Sequence, residues 1–248
     1  MSSIDLPILS SQPTESIIVP SSGKSITIRA YLVKEEKQLL LAAETRNQSK
    51  IFDAMCNVIV ACVLEKDFKI SQCTSFDLEY VFLMLRTLSV GSSAPVKVKC
   101  QDETCKGETE VIVELGSVSL VPEVFEKTKT IKVSSKISVV IGYPRIKMLD
   151  VNEKFFKEAA KEEGSSKLLY DMIDVSISKV ISDDVLLEFH DYPREKRDEF
   201  VENLPSSVFA QISAFIQNAP KVVVATEFDC VLCKKHQKLE LNGISDFF

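Results

Sequence analysis

The sequence has no tryptophan, two histidines and seven glycines in 248 residues. Each scarcity removes a class of function. A phosphate-cradling loop needs closely spaced glycines ahead of a helix. The nearest approach, Gly23-Lys24-Ser25, has Ile18 where such a loop needs its first glycine, and a β-like run follows it, so it reads as a turn. Neither His190 nor His236 lies in an HExxH arrangement, and no GxSxG, GxGxxG or EF-hand loop occurs. His190, in EFHDYP, has an acidic neighbour but no serine or cysteine in a nucleophile setting. The carboxylate pairs Asp183–Asp184 and Glu162–Glu163 are adjacent in sequence and read as solvated. These absences point away from an enzyme. Long apolar runs are also missing. Nothing approaches the roughly 18–20 residues of a membrane span, and the opening MSSIDLPILSS lacks a basic-then-apolar signal pattern. Positive charge is not in excess either: 30 basic residues against 36 acidic give a net charge of −6. A nucleic-acid surface needs a cationic face against phosphate, so none is expected. The basic residues are interleaved with acidic ones, as in KEEKQ and REKRDE, and read as solvated helix faces.

Cysteine is what the chain does have. Seven cysteines without a secretory signal fit a reducing compartment, where they serve as core residues or metal ligands. Cys100 and Cys105 sit in VKVKC-QDET-CKGETEVIVEL, and Cys230 and Cys233 sit in VVVATEFDC-VL-CKKHQKLEL. Each pair lies between two β-like runs, so each reads as a hairpin with two thiols at its tip. Two such tips brought together form a tetrahedral four-thiolate site of the zinc-ribbon kind, holding structural Zn²⁺ with no position left open for a substrate. Two alternatives stay open: one pair is fortuitous, or His236 replaces a cysteine, since Cys230-x-x-Cys233-x-x-His236 also has ligand spacing.

The rest of the chain reads as mixed α+β. Residues 1–14 are polar and proline-bearing and read as a loose arm. SIIVPSSGKSITIRAY, Ser16–Tyr31, reads as a β-hairpin turning at Ser21–Lys24. Helices are expected from Val33 to about Arg46 and from about Lys50 to Lys66. Cys56 and Cys62 fall on the apolar stripe of the second and read as core; Cys73 lies in a loop. A third helix opens at Thr74, with Asp77 three residues on as a capping box, and runs to about Ser89. It is apolar almost all round, which marks a helix buried on most sides or partly against another subunit. Arg86 would then be a lone cation there, paired with Asp77, Glu79 or a partner's carboxylate. Further hairpins are expected at Thr128–Gly142 and Lys221–Leu241, helices at Lys147–Glu162, Lys167–Val175, Pro193–Asn203 and Pro205–Gln217, and short strands or a turn within Ser176–His190. The expected architecture is an N-terminal β-hairpin plus three helices (1–92), zinc-ribbon-like β-hairpins (93–142 with 219–248) and an inserted helical block (143–218).

Three stretches together carry a family resemblance: SGKSITIRAYLVKEEKQLLLAAE, FDLEYVFLMLRTLSVG just ahead of the first cysteine pair, and the ending CVLCKKHQKLELNGISDFF. In this order and spacing they resemble the baseplate hub subunit and hub-assembly family of T-even-like contractile-tailed bacteriophages. The first cysteine pair departs from a two-residue spacing by having four residues between its members. The resemblance implies a protein made in the host cytoplasm that builds, or stays in, the virion tail baseplate. Its partners would be other baseplate, tail-tube or tape-measure proteins. It also implies a second role, an assembly chaperone absent from the mature virion. A host-directed zinc-ribbon regulator of the transcription machinery is a third reading. Candidate contact residues are Phe82 and Arg86 on the third helix and Phe247 and Phe248 at the end of the sequence, with ordinary core packing as the alternative for Phe82.

Overall fold

The structure is a computed structural model, described here for residues 12–146 and 165–242. The expectations for Lys147–Glu162 and for Phe247 and Phe248 lie outside the described residues. The chain opens with the antiparallel hairpin β1 (Thr14–Ile18) and β2 (Ser25–Arg29). Its turn uses Gly23 at φ 71°, a left-handed conformation that glycine adopts without steric cost. Helices α1 (Val33–Glu44), α2 (Gln48–Cys62) and α3 (Ser75–Val90) follow. Polar side chains set their starts. Glu35 reaches back to the Leu32 N–H at 2.7 Å, and Asn47 accepts from the N–H groups of Ser49 and Lys50. Arg29 binds both the Glu35 carboxylate, at 3.0 Å, and the Ala61 carbonyl, at 2.8 Å, which ties the hairpin to α1 and α2.

The capping box on α3 forms as its sequence predicts: Thr74 Oγ1 accepts from Asp77 N–H and Asp77 accepts from Thr74 N–H. Asp77 is fully buried and also takes the backbone N–H and hydroxyl of Ser21, so the cap anchors the first hairpin as well. Of the three carboxylates offered to Arg86 by the sequence, Asp77 is bound to Ser21 and Thr74. Arg86 is half-buried, and its Nε has no hydrogen-bond partner among the described residues.

Helix α3 is central because its two apolar faces serve two cores. Leu78, Val81, Phe82 and Leu85 pack with Ile17, Ile28, Val58, Ile59, Cys62 and Cys73 from the N-terminal elements. Phe76 and Leu83 pack on the other side, among residues of the cysteine hairpins. Phe82 is only 2% exposed, so it lies in the core rather than at a free surface.

The first cysteine hairpin is β3 (Ser93–Lys99) with β4 (Glu108–Glu114), and the second is β10 (Lys221–Asp229) with β11 (His236–Asn242). The short β5 (Ser119–Val121) pairs with β10 and completes the three-stranded order β11-β10-β5. The alternation of β4 buries Thr109, Val111 and Val113 and exposes Glu108, Glu110, Ile112 and Glu114. Val111 and Val113 share a core with Val222, Val224 and Phe228 of β10 and Leu241 of β11, so the two sheets stack face to face.

Between the two hairpins the sequence expectation and the structure part in one respect. Strands β6 (Thr128–Lys132) and β7 (Ile137–Gly142) do form a hairpin. Their sheet then continues into β8 (Ile177–Ser182) and β9 (Val185–Glu188), so position 142 lies inside one four-stranded sheet, order β6-β7-β8-β9. The segment expected as a helical block therefore contributes half a sheet. The cause is burial: Ile131, Val139 and Ile141 need a cover, and α4 (Ser165–Ser176), α5 (Arg194–Glu202) and α6 (Ser206–Gln217) supply it through Ile173, Val201, Val208, Ile212 and Ile216. Asp174, only 2% exposed, joins α4 to α5 by accepting from Arg197 at 2.7 Å. Tyr143 stacks on Phe215 of α6 at 4.6 Å and meets Phe76 of α3 edge-on at 5.4 Å, linking this third core to the central helix.

Candidate metal centre

Two short turns bring the four hairpin cysteines together. In the first, Cys100 N–H bonds to Gly107 O at 2.8 Å, extending the β3–β4 ladder, and Cys105 N–H closes on Asp102 O at 2.9 Å. In the second, Cys230 N–H bonds to Lys235 O and Lys234 N–H returns to Cys230 O; Lys234 takes φ 58° to make that turn. Gly107 is required by proximity: a Cβ there would stand 2.9 Å from Cys230 Sγ and 3.0 Å from Leu232 Cβ. The turns are held to each other by the Lys235–Asp102 ion pair, by Val231 N–H donating to Thr109 Oγ1 at 3.1 Å, and by two glutamines. Gln101 N–H donates to Gln237 Oε1 at 2.9 Å and Gln101 Nε2 to Lys238 O at 2.8 Å.

All four sulfurs lie within 4.8 Å of one another. Cys100 Sγ is 3.7 Å from Cys233 Sγ, and Cys105 Sγ is 3.8 Å from Cys230 Sγ. A regular tetrahedron with Zn–S bonds of about 2.3 Å has edges of about 3.8 Å. The cross-turn distances thus match those of thiolates around a single tetrahedral ion, and all seven cysteines are free of disulfides. Protonation chemistry points the same way. The backbone N–H groups of Cys233 and Leu232 pull Cys230 down to about 6, so one sulfur ionises readily. Cys105 receives the Gly107 N–H, yet burial and the neighbouring thiols push it up to about 12. Cys233 is likewise raised by burial and by Cys100 and Cys230, despite the Lys235 N–H. One negative charge is welcome there and further ones repel, an environment that a divalent cation would neutralise. The cluster could hold a metal ion, and its donor set is the one that suits Zn²⁺.

The open alternative at His236 finds no support in this geometry. Its ring is 60% exposed and lies between Asp229, 3.0 Å from Nδ1, and Glu227, 3.3 Å from Nε2. Those carboxylates raise its pKa, Asp229 foremost. The other cysteines stand apart: Cys62 and Cys73 are buried in the first core and Cys56 is packed against it. Burial pushes Cys56 and Cys73 up to about 12 and Cys62 to about 11, as expected for inert core thiols.

A cleft of about 930 Å³ lies between the first hairpin and the β6–β9 sheet, with His190 among the residues that line it. The group beside the His190 ring is the Arg197 guanidinium, 2.8 Å from Nδ1, and burial together with that cation lowers the imidazole's pKa. Nearby Ser176 gives its hydroxyl to Ile173 O.

Sequence reasoning singled out the four cysteines and missed Gln237, Thr109 and Gly107. Gly107, two residues after Cys105, was the one with a visible signal. Gln237 and Thr109 are polar residues in β-like alternation and look like any solvent-facing position until the two sheets are stacked. Compared with known families, the chain matches the model described as T4 bacteriophage base plate protein over residues 12–248. No curated protein and no solved structure matches it.

Proposed function

Because this chain belongs to the T4 bacteriophage base plate protein family, we propose that it is a non-catalytic subunit of the baseplate hub, built around a structural zinc site. Within the family reading, the observation that carries the proposal is the four-thiolate cluster. Cys100, Cys105, Cys230 and Cys233 would hold Zn²⁺, which supplies a rigid four-way link and no reactive position. The ion would lock the two stacked sheets at their tips, while Phe76 and Leu83 of α3 hold them from the other end. The same frame carries exposed apolar side chains, among them Ile112 on β4 at 66% and Leu232 at the turn at 67%. Assembly contacts with other baseplate, tail-tube or tape-measure proteins would cover surface of this kind. Synthesis in the host cytoplasm and residence in the virion tail follow from the role.

Quantitative mass spectrometry of purified virions and of infected-cell lysate tests it. A fixed, small integer copy number relative to known tail proteins is expected. Abundance in the lysate with absence from virions would replace the hub-subunit reading with that of an assembly chaperone. Co-purification with host polymerase instead would favour the regulatory reading.

A further inference from the structure

Three of the four sulfurs take hydrogen bonds from backbone N–H groups two or three residues further on: Cys230 from Leu232 and Cys233, Cys233 from Lys235, and Cys105 from Gly107. A tight turn provides such donors automatically. The loop from Cys100 to Cys105 is longer, and three of its amides go elsewhere: Gln101 N–H to Gln237, Cys105 N–H to Asp102 O, and Thr104 N–H to Asp102 Oδ1. Cys100 receives a side-chain donor from the opposite hairpin, Gln237 Nε2, 2.8 Å from its Sγ. Gln237 is 8% exposed, and the orientation of its amide is dictated, because Oε1 must face the Gln101 N–H.

We propose that Gln237 is the positioning residue of the metal centre, giving Cys100 a side-chain N–H from across the two hairpins. This rests on the zinc reading above. Four thiolates around one divalent ion leave a net charge of about −2, and N–H···S bonds spread that charge and blunt the sulfur as a nucleophile. With Gln237 in place, Cys100 holds one such bond from the opposite hairpin. Without it, Cys100 becomes the weak corner, the first sulfur to leave the metal and react.

The test uses the full chain loaded with Zn²⁺ and treated with N-ethylmaleimide. Metal release is followed with a chromogenic chelator, and partly reacted protein is digested to map the alkylated cysteines. Gln237→Leu should release metal about 10-fold faster than the wild type, the range typical for loss of an outer-shell partner, with Cys100 alkylated first. Gln237→Glu keeps the length and the oxygen for Gln101 while deleting the donor. At pH 8 it should behave likewise, and it carries the test if the leucine variant fails to fold. In the Co²⁺-loaded protein the thiolate charge-transfer band should move to lower energy in both. A metal-binding wild type whose release rate and alkylation order are unchanged in both variants overturns the role of Gln237 alone. A wild-type chain that binds no metal overturns the zinc reading and this role with it.

Discussion

The N-terminal unit and the paired cysteine hairpins use the same residue type in opposite ways. In the first, cysteine is an apolar filler: Cys62 and Cys73 are 0% and 4% exposed, and burial drives their thiols away from ionisation. In the second, the sulfurs gather at the ends of two hairpins, where backbone amides favour ionisation of Cys230. The physical difference is the depth of apolar surface. Two helices and a hairpin packed with α3 bury large side chains such as Phe82, Leu78 and Ile59 completely or nearly so. The cysteine turns lie beyond the last apolar layer, Phe228 and Val98, and are joined by polar clips at a cluster that could hold a metal. One unit closes by hydrophobic burial; the other, on the zinc reading, closes through metal–sulfur bonds.

The sharpest way to break that contrast is to remove the metal. Chelation, or Cys230→Ser, should cost the hairpin pair more than about 5 kcal/mol, since structural zinc binding is itself folding free energy of this order or larger. At about 2–4 °C per kcal/mol for a chain of this size, the melting temperature should fall by on the order of 10 °C or more. A Cys230→Ser protein with wild-type metal content and melting temperature would refute the site. The next largest effect lies in the other unit. Phe82→Ala should cost about 3–5 kcal/mol through lost burial and the cavity left behind, yet leave metal stoichiometry at one per chain. Loss of metal in that variant would show that the two units are not separable. The smallest effect is electrostatic. Burial raises Glu79 on α3 to about 7, above its ordinary 4.5. The folded state therefore holds a proton that the unfolded state releases, and stability falls as pH rises from about 4.5 to 7, then levels off. Glu79→Gln should flatten this slope and stabilise the protein by about 3 kcal/mol at pH 8, measured by thermal unfolding at pH 5 and pH 8. Equal slopes in both proteins would remove Glu79 as the source.

Much of this contrast was legible in the sequence because it is written in local patterns. The Thr74–Asp77 capping box, the alternation of β4 and the proline-led starts of α5 and α6 each depend on neighbours within a few positions. The four cysteines were legible because thiols in hairpin context have few other uses. What was not legible is non-local. That β7 pairs with β8 depends on which distant segment covers Ile141, and the strands within Ser176–His190 are too short to declare their partner. The binding of Ser21 to Asp77 joins residues 56 positions apart, and no periodicity signals it. Gln237 is the extreme case, since its role depends on a sulfur 137 positions away.

The separation of the ligand pairs has a consequence for the order in which the protein is made. Cys105 and Cys230 are 125 positions apart, so a ribosome completes the first thiol pair long before the second exists. Until then the nascent chain offers a metal two sulfurs, half a coordination sphere and a weak hold. The β6–β9 sheet and its helices must be synthesised, and are free to fold, before the hairpins can be joined. Closing a loop of that length costs little more than closing one half as long, about 0.6 kcal/mol, and a prefolded insert shortens the search further. On the zinc reading, the ion would bind firmly only to a chain translated past Cys233, so metal uptake would chemically mark the point at which both hairpins exist.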